Sequence, residues 1–356
     1  MHTKIQEVLD LAVANKASDV HFSVSVLPRM RVNGELVVIT NFDLKDPETM
    51  TEMIVSILSD EQKQMLESDR EIDCSITTEL ARFRVNIYYQ KAEVACALRI
   101  VPAEIPEFKA LNLPDILMDF VDYKQGFVLI TGPTGHGKST TVASVLNEIN
   151  RSRSCHIVTI EDPVEYVIKP EKSIISQREL GNDTKSFAMA LRSVLRQDPN
   201  VVFVGEMRDL ETISSALTIA ETGHLVFSTL HTNSASQTVD RIIDVFPEGA
   251  REQIRVQLSS VITAVVSQRL VPAKNGGRVP VFEIMTATPA VKNSIREGKA
   301  FMLDNIIQTS ADMGMVGLET SLARLVHQNV ITEEVAMSYS LRPEELQNSL
   351  RSINLK

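Results

Sequence analysis

Residues 132–139 read Gly-Pro-Thr-Gly-His-Gly-Lys-Ser, and this G-x-x-x-x-G-K-[ST] pattern restricts the fold more than any other feature of the chain. The pattern works only where an apolar strand feeds a glycine-rich turn that opens directly into a helix. Both flanks are present: Gly126–Thr131 is a short apolar run suited to a buried strand, and Ser139–Ile149 carries a helical pattern. In such a turn the glycines let successive backbone N–H groups face a polyphosphate, and the helix N-terminus adds positive partial charge. Average residue usage gives a chance match in about 1–2% of chains of this length, before the strand and helix are demanded. Gly132, Pro133, Thr134, Gly135, His136, Gly137, Lys138, Ser139 and Thr140 are therefore the expected nucleotide-binding residues. Lys138 is placed to reach the β- and γ-phosphates, and the Ser139 hydroxyl to complete the shell of a Mg²⁺ ion.

The rest of the composition excludes several classes. At 356 residues, 44% apolar and 23% charged, the chain has the make-up of a folded protein with room for two domains. A net charge of −10 argues against a basic nucleic-acid-binding surface. Cys74, Cys96 and Cys155 never fall at C-x-x-C spacing, so a zinc site or disulfide framework is not expected and a reducing cytosol is the natural compartment. The opening Met-His-Thr-Lys-Ile-Gln-Glu lacks the apolar stretch of a signal peptide, and no run approaches a membrane span of about 18–20 residues. Work at a membrane would proceed by docking onto partners.

Residues 1–100 combine a helical opening (Ile5–Ala14) with strand-like runs at Asp19–Val24, Arg29–Val32, Glu35–Ile39 and Ala81–Tyr89, and Asn33-Gly34 is a hairpin signal. This reads as a small α+β domain. Three prolines in residues 101–114 fit a semi-extended linker. From 115 to 356 the runs Phe127–Thr131, His156–Ile160, Val201–Gly205 and Leu225–Thr229 alternate with amphipathic segments, which predicts a parallel sheet covered by helices. The last 80 or so residues read as mainly helical.

Open α/β sheets bind ligands at the carboxyl ends of their strands, and the residues placed there narrow the chemistry. Val201–Val204 delivers Glu206, which reads as a Mg²⁺-holding carboxylate or as a solvated strand-end acid. After another apolar run come Glu161, Asp162 and Glu165, which repel one another unless a cation lies between them; a Mg²⁺–ATP complex with its attacking water suits that need, and a capping role remains open for Asp162. His231 sits among Thr229, Thr232 and Asn233 and fits a γ-phosphate sensor, whereas His224 reads as structural. Arg82 and Arg84 share one strand face, and with Arg99 they are either surface arginines or the source of an arginine finger.

Together these motifs resemble the secretion-superfamily ATPases of the type IV pilus group, and within it the retraction (PilT) family. Gly132–Thr140 matches the Walker A element, Thr159–Tyr166 the Asp box, Val204–Asp209 an atypical Walker B and His224–Asn233 the His box. Ala17–His21 and Arg29–Gly34 resemble the family's PAS-like domain, Arg82–Arg84 and Leu98–Arg99 its arginine segments, and Pro289–Lys299 its C-terminal signature. His136 stands where the family has Ser, Lys292 where it has Arg and Ser294 where it has Leu; position 136 is expected to contribute mainly backbone.

The resemblance implies an α/β chain with a PAS-like α+β domain and a RecA-like domain carrying a helical C-terminal region. It further implies a cytoplasmic homohexamer, docked on an inner-membrane pilus platform protein without inserting into the membrane or binding nucleic acid, that hydrolyses Mg²⁺–ATP to retract pili in twitching motility. By carry-over Lys138, Ser139 and Thr140 bind phosphate and Mg²⁺, and Glu206 holds the metal. Glu165, ahead of Glu161, activates water, and Arg82, Arg99 and His231 sense or stabilise the γ-phosphate. Pilus assembly and type II secretion motors usually carry an extra N-terminal domain and a C-x-x-C insertion, which this pattern does not match. An accessory retraction ATPase, a ring-shaped DNA translocase and a regulatory adaptor that does not turn over are the other readings.

Overall fold

The computed structural model describes residues 1–24, 26–40, 47–101 and 104–353, which form two compact units, Met1–Glu104 and Ile105–Lys356. Two residues of the expected 101–114 linker, 102 and 103, and the terminal residues 354–356 lie outside the described set.

The N-terminal unit runs α1 (Thr3–Ala14), β1 (Asp19–Phe22), β2 (Arg29–Val32), β3 (Glu35–Val38), α2 (Pro47–Val55), α3 (Asp60–Asp69), β4 (Glu71–Thr77), β5 (Arg82–Gln90) and β6 (Glu93–Val101). Its strands form one antiparallel sheet in the order β3-β2-β1-β6-β5-β4. Asn33 (φ 51°) and Gly34 (φ 89°) both take the positive φ that a tight two-residue hairpin requires, so the β2–β3 turn forms where the sequence places it. The polar sequence of α3 is fixed by a capping box: Gln62 N–H donates to Ser59 Oγ at 3.2 Å and Ser59 N–H to Gln62 Oε1 at 3.0 Å. Ile5, Leu9, Met50, Met53 and Leu66 of the helices pack on Val20, Phe22, Phe83, Val85 and Leu98 of the sheet.

The C-terminal unit contains α4 (Ile116–Asp122), β7 (Gly126–Thr131), α5 (Lys138–Ser152), β8 (His156–Glu161), β9 (Ile174–Glu179), α6 (Phe187–Val194), β10 (Val201–Val204), α7 (Leu210–Glu221), β11 (Leu225–Leu230), α8 (Ala235–Asp244), α9 (Arg251–Val261), β12 (Ile262–Pro272), β13 (Arg278–Thr286), α10 (Pro289–Arg296), α11 (Leu303–Thr309), α12 (Leu318–His327), α13 (Glu333–Tyr339) and α14 (Pro343–Ile353). Seven strands pair in the order β13-β12-β7-β11-β10-β8-β9, all parallel except β13, which is antiparallel to β12.

Every residue of β7, β10 and β11 is buried, as expected of strands covered on both faces. Alternate side chains serve opposite layers. Phe127, Leu129, Val226 and Leu230 meet α6 to α11, whereas Val128, Ile130, Leu225 and Phe227 meet α4 and α5.

Two readings are refined. The 101–114 segment is not simply extended: Phe108–Leu111 forms a 3₁₀ turn, and Phe108 and Leu113 are buried against Leu117 and Phe120. The C-terminal stretch is not all helix, because β13 lies in it and closes the β12 hairpin. The last helices cover the far end of that hairpin, where Leu318, Leu322, Ile331 and Leu346 enclose Val271 and Val281. Buried Glu319 fixes the turn before α14 by accepting the Leu341 and Arg342 N–H groups at 3.1 and 3.0 Å. Among the described residues no helix is long and apolar enough to cross a membrane.

Phe227 is fully buried on the middle strand of the sheet. Phe227→Ala is expected to lower the unfolding free energy by about 3–5 kcal/mol. Phe301→Ala, at a side chain 74% exposed, should stay within about 0.5 kcal/mol of the parent in the same urea titration.

Candidate active site

Because β7, β8, β10 and β11 are parallel, their carboxyl ends share one edge of the sheet. That edge carries the phosphate loop after β7, Glu161 at the end of β8, Glu206 after β10 and His231 after β11. Glycines set the loop backbone: Gly135 and Gly137 adopt φ 77° and 82°, and Gly137 is the N-cap of α5 without any side-chain cap. A Cβ on Gly132 would collide with the Gln268 carbonyl of β12. The α5 N-terminus is thus left without a side chain over its first N–H groups, an arrangement suited to an anion.

At the centre lies a chain of hydrogen bonds. Lys138 Nζ donates to the Gly132 and Pro133 carbonyls at 2.8 and 3.0 Å and stands 3.2 Å from His231 Nδ1. His231 Nε2 stands 3.1 Å from Glu206 Oε1, and Thr134 Oγ1 is 3.3 Å from Nδ1. Since ammonium only donates, Nδ1 accepts and the ring proton on Nε2 faces the carboxylate. Arg208 Nη2 completes the cluster, donating to Glu206 Oε2 at 2.8 Å. Burial alone would raise Glu206, but the Arg208 hydrogen bond and charge, with the His231 N–H, outweigh it and hold the carboxyl below its ordinary range. Burial lowers Lys138, opposed by the charges of Glu206 and Glu165.

The three acids of the Asp box do not converge on one cation. Glu161 is buried and accepts from Thr159 Oγ1 at 2.6 Å and Gln177 Nε2 at 3.2 Å. Burial pushes it up to about 7 despite these bonds and that from the Glu165 N–H. Asp162 is exposed and acts on Arg208 through its charge, while Glu165 is exposed on the turn and acts on Lys138. The turn is braced from outside: Glu179 Oε2 accepts the Val164 N–H at 2.9 Å, and Tyr166 Oη meets Thr140 Oγ1 at 3.0 Å. Ser139 is half-buried in the first turn of α5.

Arg82 and Arg99 belong to the N-terminal unit. Arg82 Nη2 donates to Ser75 Oγ at 2.7 Å, Arg84 shares its strand face, and Arg99 Nε pairs with Asp19 at 3.0 Å. His224 Nδ1 lies 3.1 Å from the Ile219 carbonyl.

Sequence reasoning missed the contribution of the β12–β13 hairpin. Gln268, 2% exposed in an apolar strand, accepts from Thr141 Oγ1 at 2.7 Å and donates to the His136 carbonyl at 2.9 Å. Buried Glu283 accepts the Ala235 N–H at the start of α8, just beyond the His box, at 2.7 Å. A lone polar residue inside an apolar strand was the available signal for both. Nor is position 136 backbone alone, because the His136 ring accepts the Leu270 N–H at 3.0 Å.

A family model described as type II/IV secretion system protein matches residues 1–297. The chain belongs to that family. It is 45% identical over 321 residues to the twitching motility protein of Neisseria gonorrhoeae, covering 90% of this chain and 86% of that protein. It is 42% identical over 341 residues to the type IV pilus retraction ATPase PilT of Pseudomonas aeruginosa, covering 96% and 99%. The crystal structure of a pilus retraction motor PilT with bound ADP superposes with a TM-score of 0.90 at 47% identity, covering 97% of this chain and 99% of that one. The fold is accordingly a small α+β N-terminal domain followed by a RecA-like ATPase domain with a helical C-terminal region.

Glu283 supplies a pH test. Its folded-state value of about 7 exceeds the ordinary 4.5, chiefly through burial, so the folded chain binds the extra proton between these limits. Stability from this group is therefore present at low pH and lost as pH rises from about 4.5 to about 7. Glu283→Gln should flatten that part of the stability–pH curve measured by denaturant titration.

Proposed function

We propose that this chain is an ATP-hydrolysing motor subunit that drives type IV pilus retraction, working as a cytoplasmic hexameric ring on an inner-membrane platform protein. The observation that carries the reading is the Lys138–His231–Glu206 chain at the mouth of a phosphate loop, in a chain that aligns almost end to end with a pilus retraction motor. The uncapped α5 N-terminus binds polyphosphate, and Lys138 exchanges the Gly132 and Pro133 carbonyls for phosphate oxygens. The donor set of a serine hydroxyl and one carboxylate suits a hard cation that keeps water and phosphate ligands. Ser139 and Glu206 would hold Mg²⁺, which when bound neutralises phosphate charge.

The remaining roles divide by burial. Glu165, exposed on the Asp-box turn, orients and deprotonates the attacking water. Glu161, occupied by Thr159 and Gln177, holds that turn in place. His231 leaves Lys138 to face the γ-phosphate while keeping Glu206 aligned, and Arg82 and Arg99 stabilise charge on the transferring group at the subunit interface.

Glu206→Gln and Glu165→Gln should each retain ATP affinity within about threefold while slowing hydrolysis by about 100-fold. Loss of affinity with unchanged turnover of the bound fraction would remove this division of labour. Deleting the gene in its host should leave excess surface pili and abolish surface motility. Bald cells would indicate assembly or secretion instead, and unchanged pili an accessory retraction ATPase or a DNA motor.

A further inference from the structure

The phosphate loop is held from behind by the β12–β13 hairpin, and one contact in that hold comes from a side chain of the loop. β7 pairs with β12 as far as Thr131, opposite Ser267, and then turns away as the loop. β12 continues to Pro272, so its main chain past Ser267 has lost the neighbour that β7 supplied. The loop fills that place. Gln268 Nε2 donates to the His136 carbonyl at 2.9 Å, and Arg278 Nη1 to the Gly135 carbonyl at 3.2 Å. The Leu270 N–H donates to His136 Nδ1 at 3.0 Å. A Cβ on Gly137 would stand 2.9 Å from Gln268 Nε2, so the loop and hairpin are already in close contact on the other side of His136.

An imidazole nitrogen accepts an N–H only when it carries no proton, which fixes His136 as the neutral Nε2–H tautomer. Its surroundings favour that form. Burial, Arg278 of β13, Arg269 of β12 and Lys138 of α5 together hold it below the ordinary histidine range. A serine at this position would carry its oxygen one bond nearer the backbone than His136 Nδ1 lies.

We propose that His136 is a positioning residue for nucleotide binding, its neutral imidazole pinning the middle of the phosphate loop to Leu270 so that the loop amides are arranged before polyphosphate arrives. The proposal rests on the nucleotide-binding reading of this site. Preorganisation of this kind raises affinity by removing an ordering cost from the binding step, and it acts equally on ground and transition states. A change in KM without a change in kcat is its signature.

The test uses the full chain with Mg²⁺: ADP affinity by calorimetry and ATPase kinetics for the parent, His136→Ala, His136→Ser and His136→Asn. The Asn carboxamide oxygen can accept the same N–H but does not titrate. Ala and Ser should weaken ADP by about three- to tenfold, the worth of one hydrogen bond, and raise KM alike with kcat within about twofold. Asn should stay within about twofold of the parent. As pH falls below the ordinary histidine range, toward about pH 5, the parent should lose more affinity than the Asn variant, because a protonated ring would face the Leu270 N–H with a donor. Titration of ADP itself is common to both proteins and cancels. Parent-like affinity in the Ala variant, an Asn variant as weak as Ala, or a fall in kcat at unchanged affinity would overturn the role of His136 alone. A parent chain that does not bind ADP would overturn the nucleotide reading with it.

Discussion

The C-terminal unit is organised around one hydrogen-bonded relay, in which Lys138 donates to His231 and His231 to Glu206. Lys138 opens the helix that follows β7 and its loop, His231 follows β11 and Glu206 follows β10, and these three strands lie side by side in the sheet. A half-buried carboxylate and a buried ammonium, left alone, would each carry a large desolvation cost. The imidazole between them, which can accept at one nitrogen while donating at the other, links the two and leaves both near a loop lined with main-chain N–H groups. The relay residues therefore satisfy one another's charge and hydrogen-bonding needs.

The relay depends on a rigid frame, and buried polar groups supply it. Gln268 spans from Thr141 on α5 to the His136 carbonyl. Glu283 ties the start of α8 to β13, and Glu179 ties the Asp-box turn to the end of β9. Each of these side chains is almost fully buried, where an unmade hydrogen bond costs more than a made one contributes. The C-terminal hairpin therefore connects the phosphate loop, the His box and the terminal helices through directional contacts as well as packing. A displacement of the hairpin would be felt at the phosphate loop through Gln268, Leu270 and Arg278.

Much of this was legible in the residues. The all-apolar strands β7, β10 and β11 announce a sheet covered on both faces, and the strand–loop–helix motif fixes where nucleotide chemistry would occur. Asn33-Gly34 specifies its hairpin because both residues tolerate positive φ. The β12–β13 hairpin was harder to read. Its antiparallel edge strand follows a region that otherwise alternates strand and helix, and the importance of Gln268 depends on residues more than 120 positions away. The division of Glu161, Asp162 and Glu165 among separate partners was equally hidden: three acids within five residues look like one cluster until strand geometry turns Glu161 inward. His136 was misread for a related reason, since its partner is a main-chain N–H, which no sequence pattern marks.

The most direct measurement of the central claim is the affinity of Mg²⁺–ADP for the parent chain and for Lys138→Ala, by isothermal titration. Lys138 is the head of the relay and, in the proposed function, the cation that exchanges loop carbonyls for phosphate. The account expects clear binding by the parent and a loss of at least about 100-fold in the variant, matching the removal of a charged hydrogen bond in a buried site. Equal affinity in the two proteins would contradict it, because the phosphate loop would then not be where this chain holds its nucleotide.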